Sequence, residues 1–139
     1  MSAIPFGTLA KAATKAAQFA YAPYSNFRVG AAVSAGGKLY TGCNIENASY
    51  GLTMCAERVA IFSAIADGNK EIQSIAISCI DAAAAENMNM RVPCGACRQV
   101  IAEFAGDETK VIIDEAHEFA VRDLLPIPFH LNKTPRGRS

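Results

Sequence analysis

Apolar positions recur along this chain with two periods. Leu9, Ala12, Ala13, Ala16, Ala17 and Ala20 fall at i, i+3, i+4, i+7, i+8 and i+11, one face of an α-helix whose alanines permit a close neighbour. The run Ala22-Pro23-Tyr24-Ser25 should end that helix. Val29 to Val33 and Lys38 to Cys43 are strand candidates, and Gly36-Gly37 between them has the backbone freedom of a hairpin turn, which predicts an antiparallel pair. From Cys55 to Ala66 the positions Val59, Ala60, Ile61, Phe62, Ala64 and Ile65 are apolar nearly all round, predicting a buried second helix stopped by Gly68. Ile72 to Ile80 reads as a strand and Asp81 to Asn89 as an alanine-rich polar loop. Cys97, Val100, Ile101 and Phe104 have helical spacing, with Pro93 introducing the third helix just ahead of Cys94. Val111 to Ile113 is a short strand and Val121 to Leu125 a last helical turn before Pro126. Strands alternating with helices after an opening hairpin imply an α/β layered domain with a mixed sheet.

Composition narrows the class. At 139 residues, 51% of them hydrophobic, the chain has the size and apolar content of one domain with one core, and shows no internal repeat. Thirteen basic residues balance thirteen acidic ones, so no global field draws the protein onto nucleic acid or an anionic membrane, and a small, weakly charged partner fits better. Met1 to Phe6 lacks a basic region followed by a long apolar run, and no segment approaches the roughly 20 apolar residues of a membrane span. A soluble, cytoplasmic protein is expected, with a polar, basic tail over residues 132–139 that frays. Five cysteines, two of them in a Cys-x-x-Cys pair, point to metal or redox chemistry before a disulfide scaffold.

Cys94 and Cys97 lie three apart at the predicted start of a helix, which puts both sulfurs on one face, and the helix N-terminus favours the thiolate. Cys55 opens the second helix, with Thr53 as a candidate cap, so the same dipole acts on a third thiol. Three thiolates can hold zinc in three corners of a tetrahedron and leave the fourth for water, which distinguishes a catalytic from a closed structural site. Glu57, two positions after Cys55, is placed to move that water's protons. Three thiolates also make a dication electron-rich, so Arg58 and Arg98, each just after a ligand-bearing segment, are candidates to withdraw charge from sulfur. Arg98 reads equally well as a surface arginine. A thioredoxin-type redox pair would leave Cys55-Ala56-Glu57 without a purpose. A four-cysteine structural site would need Cys43 or Cys79, both in strand segments where a free cysteine is ordinarily a small buried hydrophobe. His117 and His130 stand in no nucleophile context and read as loop or surface residues.

Cys55-Ala56-Glu57 followed by Pro93-Cys94-Gly95-Ala96-Cys97 resembles the signature of the zinc-dependent cytidine deaminases. Ala22-Pro23-Tyr24-Ser25-Asn26-Phe27, Val29-Gly30-Ala31-Ala32, Gly42 to Ala48 and Cys94 to Ile101 extend the likeness, from about Leu9 to Phe129, to the small homotetrameric nucleoside-type members. Cysteine as first ligand, where polynucleotide deaminases use histidine, is similar to the same compact group. The resemblance implies a three-layer α/β/α domain, one zinc per chain, and deamination of cytidine and 2′-deoxycytidine to uridine and 2′-deoxyuridine in pyrimidine salvage. It implies that Glu57 carries a proton from zinc-activated water to N3 and then to the amino group leaving C4. It implies, further, that Phe27 and the Ala56 backbone contact the nucleoside, that Asn44 and Glu46 hold the ribose, and that Ala48, Tyr50 and Phe129 reach it from neighbouring subunits. Asn44 and Glu46 alternate along an extended segment and so point to one side. A carboxylate there would repel phosphate, favouring free nucleosides. Two other readings share the zinc chemistry. A deaminase of a bulkier, antibiotic-type nucleoside is disfavoured by the ribose pair, and an RNA-editing protein by the balanced charge and the lack of a basic aromatic stripe.

Overall fold

The computed structural model describes residues 3–83 and 87–131. The chain runs α1 (Phe6–Ala17), β1 (Val29–Ala35), β2 (Lys38–Cys43), α2 (Ala56–Ala66), β3 (Ile72–Cys79), α3 (Gly95–Phe104), β4 (Ala105–Ile113), β5 (His117–Ala120) and α4 (Val121–Leu124), with single 3-10 turns at Tyr50–Leu52 and Met88–Met90. The five strands form one mixed sheet in the order β2-β1-β3-β4-β5. β1 is antiparallel to β2 and β3, β3 is parallel to β4, and β4 is antiparallel to β5. The predicted hairpin forms with Gly36 and Gly37 both at positive φ, 60° and 78°, as a two-residue turn between right-twisted strands requires.

Strand alternation sorts the apolar residues onto two faces. Ala32 and Ala76 point to α1, where they pack with Leu9 and Ala13, all fully or almost fully buried. Their neighbours Ala31, Val33, Ile75 and Ile77 point the other way, and with Val111 and Ile113 they meet α2, α3 and α4 through Ala60, Ile61, Ile101 and Val121. The result is the three-layer α/β/α arrangement. α1 sits tight on β1 because Gly30 has no side chain: a Cβ there would lie 1.9 Å from the Ala13 carbonyl oxygen.

The structure corrects the sequence reading in several places. α1 stops at Ala17, and Gln18, Phe19 and Ala20 continue only as i→i−3 turns, so Ala20 lies outside the helix. α2 is buried on its sheet-facing side alone, and Phe62 is 44% exposed. Thr53 does not cap α2: Cys55 is the N-cap residue, and the Thr53 hydroxyl accepts a hydrogen bond from the Asn47 N–H. β4 begins at Ala105, well before Val111, because its polar first half sits beside a register shift in the pairing with β3. A fifth strand not anticipated, β5, opens at His117, which is exposed as a surface residue should be, and is reached through a turn in which Asp114 and Glu115 take positive φ without any glycine. The tail expected to fray, 132–139, lies outside the described residues. No helix among the described residues is long and apolar enough to cross a membrane.

Candidate active site

Past β2 the chain doubles back. Ile45 and Met54 exchange two backbone hydrogen bonds of 2.9 Å, which delivers Cys55 to the start of α2. Cys94 is the N-cap residue of α3, and Cys97 lies in that helix's first turn. Two helix N-termini, each with unpaired N–H groups and positive dipole ends, therefore converge on three sulfurs. Cys55 Sγ is 3.8 Å from Cys94 Sγ, Cys94 Sγ is 3.5 Å from Cys97 Sγ, and all three lie within 4.8 Å of one another. Sulfurs about 2.3 Å from a tetrahedral zinc stand about 3.8 Å apart, so the trio fits three corners and leaves the fourth open. Cys43 and Cys79 end β2 and β3 and do not belong to the cluster.

Electrostatics at the sulfurs is lopsided. The Cys97 thiol hydrogen-bonded to Cys55, with Arg58 beside it, holds Cys55 down at about 5 against the cost of burial. Cys97 is pushed well above the ordinary thiol range by the same hydrogen bond, by burial and by the Glu57 charge. Arg58 Nη2 donates to Cys55 Sγ at 3.5 Å, and that bond raises the guanidinium above its usual value. Arg98 does not face sulfur. Its Nε donates to the Pro93 carbonyl and its Nη1 to the Leu124 carbonyl, both at 2.8 Å, so it braces the peptide ahead of Cys94 against α4.

A cavity of about 420 Å³ opens above this cluster, large enough for a nucleoside-sized ligand. Its lining includes Phe27, Asn44, Glu46, Cys55, Ala56 and Glu57. Glu57, 5% exposed, is pushed up to about 7 chiefly by burial, opposed by its own backbone N–H, with the Cys55 charge adding to the rise. A carboxyl poised near neutrality can both take and give a proton. Glu46 is the opposite case. Its carboxylate accepts from the Tyr24 and Ser25 N–H groups at 3.0 and 3.1 Å and from the Ser25 hydroxyl, and the Ser25 bond above all holds it below the usual carboxylate range. Asn44 is engaged by the backbone before any ligand arrives: its Oδ1 accepts from the Val29 N–H at 2.9 Å and its Nδ2 donates to the Phe27 carbonyl at 2.8 Å, leaving one amide N–H free to turn to the cavity.

Ala48, Tyr50 and Phe129 do not line this cavity. Tyr50, 77% exposed, meets Tyr24 edge-on at 6.2 Å between ring centroids, and Phe129, 69% exposed, is tied through its backbone to the Gln99 side chain on α3. The sequence reading missed Ser25, Val29, Thr53, Cys79 and Asn89 to Val92 among the lining. Cys79 resembled a core residue, and Asn89 to Val92 were a loop end; only their place directly ahead of Pro93-Cys94 could have marked them.

Residues 7–113 match the family model for the cytidine and deoxycytidylate deaminase zinc-binding region. A cytidine deaminase of Halalkalibacterium halodurans is 44% identical over 87% of this chain and 91% of its own length, and one of Mycobacterium tuberculosis is 42% identical over 91% of this chain and 90% of its own. The crystal structure of cytidine deaminase from Burkholderia pseudomallei superposes with a TM-score of 0.79 at 41% identity, covering 91% of this chain and all of that one. A three-sulfur cluster that fits zinc, in a domain matched over most of its length by model, relatives and structure, leaves one assignment: the chain belongs to the family of zinc-dependent cytidine and deoxycytidylate deaminases.

Proposed function

We propose that this chain deaminates free cytidine and 2′-deoxycytidine to uridine and 2′-deoxyuridine with release of ammonia, serving pyrimidine salvage in the cytoplasm. The observation that carries the reading is Glu57, buried at the base of a nucleoside-sized cavity and adjoining the Cys55, Cys94 and Cys97 sulfurs that would hold the metal. Zinc, when bound, supplies a Lewis acid that makes water a competent nucleophile at neutral pH. Glu57 would take a proton from the attacking water as its oxygen bonds to C4, and would deliver that proton to N3 of the pyrimidine. A second proton moves through the same carboxyl to the exocyclic nitrogen as the C4–N bond breaks, so one water is consumed and one ammonia released. Glu46, kept anionic, accepts from a ribose hydroxyl and repels phosphate, which selects nucleosides over nucleotides. Asn44 holds the Phe27 and Val29 backbone in place and offers its remaining N–H to the sugar. Arg58 draws charge from Cys55, while Arg98 secures Pro93.

Homotetramer formation fits the exposure of Tyr50, Leu52, Ile127 and Phe129, apolar side chains that a lone chain would leave in water. In that assembly Ala48, Tyr50 and Phe129 would complete a neighbour's cavity. The deciding experiment is a zinc-loaded absorbance assay on cytidine with Glu57→Gln alongside. The unaltered chain should produce uridine, and Glu57→Gln should bind zinc equally and lose at least about a thousandfold in kcat. Full activity in Glu57→Gln would overturn the role given to this carboxyl.

A further inference from the structure

The cavity's lining from Asn89 to Val92 rests on a polar anchor that the deaminase chemistry does not use. Arg91 donates through Nη1 to Asp114 Oδ2 at 2.5 Å and through Nη2 to the Ala83 carbonyl at 2.7 Å, with only 11% of its side chain exposed and 19% of the aspartate's. The other Asp114 oxygen accepts from the Cys79 N–H at 2.7 Å, and the Asp114 N–H donates to the Ile77 carbonyl at 2.9 Å. Asp114 is thus fixed to the last residues of β3 on both its backbone and its carboxylate, in a left-handed conformation at φ 51° that aspartate and asparagine tolerate better than most residues. Through Arg91 it holds the short turn Met88–Met90, whose Met88 carbonyl receives the Arg91 and Val92 N–H groups at 2.9 and 3.1 Å.

Two arginines therefore flank Cys94 and anchor its two sides separately. Arg98 secures Pro93 and the helix that follows, which is the metal side. Arg91 secures the stretch that precedes, which is the cavity side. We propose that Arg91 and Asp114 are positioning residues for nucleoside binding, holding the Asn89 to Val92 wall against the end of β3 while the sulfur cluster keeps its own anchor. The proposal rests on the nucleoside reading given above. Losing the pair should loosen the wall and weaken binding without disturbing the group that moves protons.

The test compares Asp114→Asn and Arg91→Lys with the unaltered chain, all zinc-loaded. Asp114→Asn keeps shape and backbone preference but turns one acceptor into a donor facing Arg91. It should raise the KM for cytidine and the Kd for uridine by about tenfold, the loss of one charge-assisted hydrogen bond. Its kcat should stay within about twofold and its zinc content unchanged. Arg91→Lys keeps the charge and one donor, so it should fall between the two. Hydrogen exchange at the Arg91 and Val92 amides, which needs no substrate, should be faster in Asp114→Asn. Glu118→Gln, which removes the Lys110 ion pair from the same hairpin, should change none of these. A lower melting temperature with KM and Kd unchanged would overturn the proposal, as would a fall in kcat and zinc with KM unchanged. An unaltered chain that neither deaminates cytidine nor binds uridine would refute the deaminase reading instead, and exchange at the two amides would still decide whether the pair holds the wall.

Discussion

The Arg58 bond to Cys55 is placed to limit how electron-rich the three-sulfur site would become with zinc bound. Three thiolates around a dication carry a net negative charge, and each hydrogen bond into a sulfur returns some acidity to the metal. Arg58 provides one such bond, to Cys55, and its charge lies one helical turn from that residue on α2. Arg58→Met, similar in length and without charge, should therefore leave zinc bound and lower kcat by about ten- to a hundredfold, read as turnover per bound zinc. Unchanged turnover would show that the helix ends alone compensate the thiolates. Arg58 was singled out from sequence because it follows a ligand-bearing segment on an apolar helix, and its bond to Cys55 forms because i, i+3 neighbours meet. Arg98 follows Cys97 by one position, and adjacent helix positions point apart, which is why its guanidinium ends on the Pro93 and Leu124 carbonyls. Asn44 was legible as a residue of the site but not as a backbone brace, because its partners, Phe27 and Val29, lie just before and at the start of β1, a separate stretch of chain.

At the scale of elements, the distance between α2 and β2 sets where Cys55, Ala56 and Glu57 stand. Gly42 makes the close approach possible: a Cβ on it would lie 2.5 Å from the Ala60 nitrogen and 2.6 Å from the Ala56 carbonyl oxygen, both backbone atoms that cannot swing aside. Gly42→Ala should push the first turn of α2 away from the sheet. An overpacking cost of about 1–3 kcal/mol is expected in denaturant unfolding, together with a fall in kcat out of proportion to that loss, because the displaced turn carries Glu57. Wild-type stability and turnover would show that the helix can slide without consequence. From sequence Gly42 is only the next-to-last residue of a strand, and nothing in its spacing reveals the helix lying over it. The elements that were legible had strong local signals, the Gly36-Gly37 turn and the helical spacing after Cys94. β5 was not, because the turn before it uses Asp114 and Glu115 at positive φ in place of glycine. The first half of β4 was hidden by Gly106 to Lys110, a run whose polarity suits an interrupted ladder and resembles a loop.

For the whole molecule, the question is whether zinc holds the domain together or only equips it. Both apolar clusters close without a metal ligand among the core residues on α1's face, and on the other face Ala60, Ile61, Ile75 and Ile101 pack without help from Cys55, Cys94 or Cys97. The placing of helices on two sides followed in the sequence reading from family likeness, and the order β2-β1-β3-β4-β5 was not legible at all, since spacing tells which residues are inside but not which strand neighbours which. A bound ion's mechanical role would be narrower: it would join the N-termini of α2 and α3, which bring the three sulfurs together from separate stretches of chain. A ligand that binds only the folded state adds stability by mass action, so stripping zinc should lower the melting temperature by about 10 °C. The secondary structure seen by circular dichroism at room temperature should persist, deamination should vanish, and added zinc should restore both activity and melting temperature. If the stripped chain unfolded at room temperature, the ion would be part of the core and the two clusters insufficient. If the melting temperature did not move, the folded state would hold the ion no better than the unfolded chain does, and three sulfurs already drawn together at the mouths of two helices would lose their explanation.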